Sequence, residues 1–208
     1  MYMPPHFKID ELGAIHAAMR MSRLATLVTA TADGLIGTPL PLILDEGEGQ
    51  YGTLYGHVAR PNPQWKAPVI GEAMAIFTGP DAYVTPSWYA AKAEHGKVVP
   101  TWNYVAVHAY GAAEFFEDAD RVLDVVTRLT ALYENSRAEA WQVSDAPADF
   151  IKAQLRGIVG FRMPITRIDA KRKMSQNRKL EDRVGVVAGL SDSDDPVDRE
   201  VAAMISTT

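Results

Sequence analysis

Cysteine is absent from the 208 residues. That excludes a disulfide framework and any thiolate metal site. No apolar stretch approaches the roughly 18–20 residues that span a bilayer, so no membrane segment is read. The N-terminus lacks a basic segment followed by an apolar run, so no signal peptide is read and a cytoplasmic location is expected. A Walker A loop and a GxGxxG fingerprint are both missing, which removes most nucleoside-triphosphate and dinucleotide-fold readings. The five histidines form no HxxxH pair and none sits beside a carboxylate at ligand spacing, so no metal site is expected. No serine sits in a GxSxG elbow. A helix-turn-helix pattern is also lacking, and a net charge of −5 opposes non-specific binding to nucleic acid.

Short β-rich runs are plentiful: 24–30, 35–44, 51–58, 73–79 and the longer 101–116. Turn residues separate them, at Ala32-Asp33-Gly34, at 46–49 and at Pro61-Asn62-Pro63. Pro86 ends or edges a further run at 83–89, and Gly111 is read as a bulge. Helices are expected at 10–21 with Asp10 as cap, at 118–133 and at 148–155. A strand-like return at 157–175 and a last helix at 196–205 follow, with 191–198 linker-like. Strands that do not alternate with helices argue against a parallel doubly wound sheet. The pattern predicts a mainly β chain, an antiparallel barrel with peripheral helices. One domain over 1–208 is expected, with a helical insertion at 117–156 and a C-terminal helix or tail at 190–208.

Three places carry candidate chemistry. "GHVARPNPQW" (56–65) delivers His57, Arg60 and Asn62 into a proline-braced loop, where an arginine fork suits a phosphate. A solvated surface loop would read the same way. "PSWY" and "PTWNY" set Trp88, Trp102 and Asn103 beside prolines, as ring-stacking platforms do and as barrel cores do. The stretch 162–183 holds eight basic and three acidic residues, a local +5 against −10 for the remainder. It is either a solvated face or an anion site, and Ser175, Gln176 and Asn177 add short polar groups to it.

Four blocks in register, "GHVARPNPQW", "GPDAYVTPSWY", "VPTWNYVAVHAYG" and "GFRMPITRIDAKRKMSQNR", span 56–178, and the lead-in "MYMPPHF" agrees with them. On these blocks the chain resembles the PaiB-type family of FMN-binding negative transcriptional regulators. The resemblance implies a split β-barrel of the kind shared with pyridoxamine-phosphate oxidases and flavin reductases, a homodimer, and FMN in the groove between subunits. It implies Arg23, Thr26, His57, Arg60 and Asn62 at the phosphate. Lys173, Ser175, Gln176, Asn177 and Arg178 would close over the flavin, and Trp88, Trp102 and Asn103 would wall its ring. Pro61 departs from the small residue expected there and removes one backbone donor. A DNA or regulatory-protein partner is implied by the family label, with flavin-dependent oxidoreduction using NAD(P)H as the alternative.

Overall fold

Burial alternates along the runs 25–31 and 101–111, which gives each strand there one buried face. The computed structural model describes residues 1–207. Its strands are β1 (Ala25–Thr31), β2 (Gly34–Leu40), β3 (Ile43–Asp45), β4 (Thr53–Ala59), β5 (Ala73–Val84), β6 (Thr101–Gly111), β7 (Glu114–Phe116), β8 (Ile158–Pro164) and β9 (Arg167–Lys173). The helices are α1 (Leu12–Met21), α2 (Ala90–His95), α3 (Ala119–Glu134), α4 (Ala148–Leu155), α5 (Leu180–Ser191) and α6 (Pro196–Met204). Hydrogen-bonded neighbours run β2-β1-β5-β6-β9 in one sheet and β3-β4-β8-β7 in the other, each with two open ends. The fold is therefore mainly antiparallel sheet with helices.

The chain divides into two compact units. The first comprises 1–22, 77–107 and 169–207; the second comprises 23–76 and 108–168. The boundaries fall inside β5, β6 and β9.

In the second unit β1 and β2 form a hairpin in full register from Ala25↔Leu40 to Thr31↔Gly34. Gly34 takes φ +118° at the end of its two-residue turn, where a side chain would be strained. The run read as one strand at 35–44 is two, because Pro41 and Leu42 interrupt it. Pro39 is tolerated since β2 is an edge strand. The four-stranded sheet of this unit carries α3 on one face. Val122, Val125 and Leu129 recur at helical spacing and pack with Phe116, Tyr55 and Ile158. Each such side chain contributes about 1.5–3 kcal/mol on burial. Asp118 caps this helix by accepting from the Arg121 amide at 2.9 Å. Tyr55 and His57 share the face of β4 that carries α3, while Leu54, Gly56 and Val58 face the other way.

In the first unit, α1 is capped by Glu11, not Asp10. The Glu11 carboxylate accepts from the Gly13 and Ala14 amides at 2.9 and 2.6 Å. Of the run at 83–89, Tyr83 and Val84 finish β5, and Pro86–Trp88 form a single tight turn just past the strand's end. Two helices were not legible. In α2 only six residues follow that turn. In α5, valines and two glycines disguise the period. Gly185 and Gly189 are required by packing: an added Cβ would lie 2.0 Å from the Trp88 carbonyl oxygen and 2.2 Å from its ring.

Gly111 is the last residue of β6. A Cβ there would sit 2.1 Å from the Pro164 carbonyl oxygen, a backbone atom with no side-chain freedom to yield. Gly111→Ala is expected to lower unfolding free energy by about 2–3 kcal/mol, seen as a reduced urea midpoint. An unchanged midpoint would contradict the close approach. Burial holds the His57 imidazole below its ordinary pKa, so the folded chain keeps it neutral. The unfolded chain then takes up a proton first, and stability falls as pH drops through about 6.5. His57→Gln should flatten that part of the pH–stability curve, measured by urea melts between about pH 5 and 8.

Candidate functional site

Basic residues on the last strand meet a polar turn directly after it. Lys171, Arg172 and Lys173 close β9, Met174-Ser175-Gln176-Asn177 turn the chain, and Arg178 precedes α5. Among the described residues Ser175 is the one non-glycine residue with positive φ, at +61°, which costs about 1–2 kcal/mol. Hydrogen bonds hold it there. Its hydroxyl lies 3.1 Å from Asn103 Nδ2 and 3.2 Å from Asn103 Oδ1, and both residues are buried. The Gln176 side chain folds back, accepting from the Met174 amide and donating to the Arg172 carbonyl, each at 2.6 Å. The Arg178 amide donates to the Ser175 carbonyl at 2.9 Å, and its guanidinium stands 4.6 Å from the Tyr89 ring centre. Asn177 is exposed at the tip.

The charge of this turn is not balanced locally. Lys173 donates to the Thr101 hydroxyl and the Trp102 carbonyl, both neutral. Burial lowers its pKa from the ordinary lysine value, and repulsion from Lys171 and Arg178 lowers it further. Among the described residues no carboxylate pairs with Arg172, Lys173 or Arg178. Arg172 Nε is buried without a partner. Lys171 is no solvated charge. It is 6% exposed, with Nζ 5.1 Å from the Tyr104 ring and 5.7–5.8 Å from Tyr2 and Phe7.

Period-two alternation separates residues that are adjacent in sequence. Trp102 and Asn103 point to opposite faces of β6, so they cannot line one side of the same ring. Asn103 goes to Ser175. Trp102 is 52% exposed, edge-on to Tyr83 at 5.8 Å. It borders a hollow of about 380 Å³ with Thr78, Gly79, Asp81 and Tyr104. Trp88 instead packs on the two glycines of α5.

The five residues expected at the phosphate lie in the second unit, most with protein partners of their own. Arg23 is exposed, its carbonyl accepting from the Tyr133 hydroxyl at 3.1 Å. Thr26 lies on the face of β1 opposite Leu27 and Thr29. His57 lies on the α3 side of β4, its Nδ1 buried without a partner. Arg60 is engaged: Nε donates to the Arg156 carbonyl at 2.5 Å, another nitrogen to the Ile158 carbonyl at 3.1 Å, and a third pairs with Glu117. Asn62 braces the loop, accepting from the Gln64 amide at 2.9 Å and donating to the Thr38 hydroxyl at 2.9 Å. Gln64, overlooked in the sequence, is fully buried and donates to Leu27, Thr29 and Ile36 across the β1–β2 hairpin. Its position in a proline-rich loop gave no burial signal. Among the described residues there is no group of three or more metal-ligating side chains, and no helix is long and apolar enough to cross a membrane.

Known proteins point the same way as the quoted blocks. Residues 1–167 match the family described as "Putative FMN-binding domain". The chain is 32% identical over 206 residues to the protease synthase and sporulation protein PAI 2 of Bacillus subtilis, covering 99% of this chain and 96% of that one. It is 31% identical to an uncharacterized protein of Emericella nidulans, over 86% of this chain and 89% of the other. Among solved structures it shares its fold with a conserved hypothetical protein of Mycobacterium tuberculosis (TM-score 0.56, 14% identity, 86% and 94% covered). It does so too with the flavocytochrome Anf3 of Azotobacter vinelandii (TM-score 0.53, 14% identity, 80% and 69% covered). With a family match over most of its length and a full-length relative of the PaiB type, this chain belongs to the family of FMN-binding domains.

Proposed function

We propose that the chain is a homodimeric, cytoplasmic FMN protein of split-barrel type that acts in negative transcriptional regulation. On this reading 1–208 is one domain, with 117–156 a helical insertion and 190–208 a C-terminal appendage. Thr208 itself lies outside the described residues. The observation that carries the reading is the unpaired positive charge of the 171–178 turn. A phosphomonoester brings roughly −1.5 to −2 charge and three acceptor oxygens. Lys173, Arg178 and the buried Arg172 Nε supply donors without a competing carboxylate. Gln176 and Asn177 offer amides for the polar edge of a flavin. Trp102 with Tyr83 offers exposed aromatic area for the ring or for a second copy of the chain. When bound, FMN supplies hydride and electron transfer; the protein supplies position and electrostatics.

Regulation is supported by the Bacillus relative, whose name ties it to protease synthesis and sporulation. A net charge of −5 favours a regulatory protein as partner over bare DNA. The second reading, a flavin-dependent oxidoreductase, has the hollow beside Trp102 in its favour, since it could admit a small substrate. Bleaching of bound flavin by NAD(P)H would select it.

The phosphate assignment predicts opposite phenotypes for two arms. Lys173→Met should weaken FMN binding about tenfold while leaving the flavin-free chain at least as stable, because it removes a desolvated, repelled cation. Arg60→Ala should cost about 1–2 kcal/mol of stability yet leave the FMN affinity of the folded chain unchanged. Flavin-fluorescence titration and urea melts read both. A larger loss of FMN affinity in Arg60→Ala than in Lys173→Met would overturn the assignment. Sedimentation should give twice the mass of one chain; a monomer carrying FMN would refute the dimer.

A further inference from the structure

A cavity of about 870 Å³ lies in the helical layer of the second unit, bounded by α3, the Val143–Asp145 turn and α4. We propose that it is a binding site for an uncharged, largely apolar small molecule, separate from the flavin turn.

Three observations carry this. The first is an unused stripe on α3. That helix buries Val122, Val125 and Leu129 on the sheet, while Leu123, Thr127 and Ala131 line the cavity from a second side. The opposing helix leaves the space open: none of the α4 residues is fully buried, although Ile151 and Leu155 face the cavity. Leu155 packs in part on the α3 core cluster, but a helix with no fully buried residue leaves apolar area to be covered, at roughly 25 cal/mol per Å².

The second is size. The volume falls within the roughly 300–1,000 Å³ of small-molecule pockets.

The third is charge. Asp120 and Lys152 are the ionisable lining residues; their signs are opposite, and the cavity carries no net charge to favour an ionic ligand. Asn135 and Ser144 offer a few hydrogen bonds, and the half-exposed Trp141 offers a ring face. That combination matches a neutral aromatic or alicyclic molecule bearing one or two polar groups. None of the thirteen residues expected at the flavin lines the cavity.

The probe is Nile red, a neutral apolar dye, titrated into the full chain with and without FMN and excited beyond the flavin's absorption. Saturable emission at one dye per chain is expected, unchanged by FMN. Thr127→Trp and the milder Ala131→Leu fill the cavity and should each weaken the dye roughly tenfold, with far-UV circular dichroism and FMN binding unaltered. Phe150→Ser, an exposed residue outside the lining, should leave the dye unaffected. Non-saturable emission, or wild-type dye affinity in both filled variants, overturns the site. So does a wild-type chain that excludes the dye while Thr127→Trp abolishes its self-association, since a second copy would then cover the cavity.

Discussion

Electrostatic repulsion among Lys171, Arg172, Lys173 and Arg178 is the constraint around which the first unit is arranged. Burial holds the Lys173 pKa below the ordinary lysine value, and the like charges of Lys171 and Arg178 lower it further. Much of the surrounding structure contains that cost. Three aromatic rings and the Tyr2 carbonyl take up Lys171. The Thr101 hydroxyl and the Trp102 carbonyl take up Lys173. Tyr89 faces Arg178. None of these partners is an anion, so the repulsion is managed and not cancelled. A dianionic phosphate would cancel it.

The turn is held open by neutral hydrogen bonds. Ser175 stays in the left-handed region because Asn103, buried on β6, fixes its hydroxyl. Gln176 spends its amide on the ends of β9, which sets where the basic side chains leave the backbone. Trp88, lodged on Gly185 and Gly189, ties the preceding turn to α5. Preorganisation of this kind lowers the ordering cost of binding.

Much of the sheet architecture was legible, because period two and turn residues are local signals. Strands β1 and β4 and the capped helix α3 lie close to where alternation and spacing put them, while the return read at 157–175 is two strands, β8 and β9, parted at Ile165 and Thr166. Helix α5 was hidden because its glycines answer to Trp88, a contact formed about 100 residues away in sequence. Of the candidate site, the block 173–178 is contiguous, so composition alone marks its charge. In the loop 56–65 an arginine between prolines looks the same in sequence whether its fork meets a phosphate or, as here, Glu117 and two carbonyls. Trp102 and Asn103 are neighbours in sequence and opposites in space, a separation that needs only the strand's pleat to explain.

The account turns on the phosphate as the anion that the 171–178 turn accepts. The most direct test compares FMN with riboflavin, which keeps the ring and lacks the phosphate. Isothermal titration at low and at physiological salt would measure both. FMN should bind at least about a hundredfold tighter, roughly 2.7 kcal/mol, with the advantage shrinking as salt rises. Equal affinities for the two flavins, independent of salt, would show that the basic turn does not hold the phosphate.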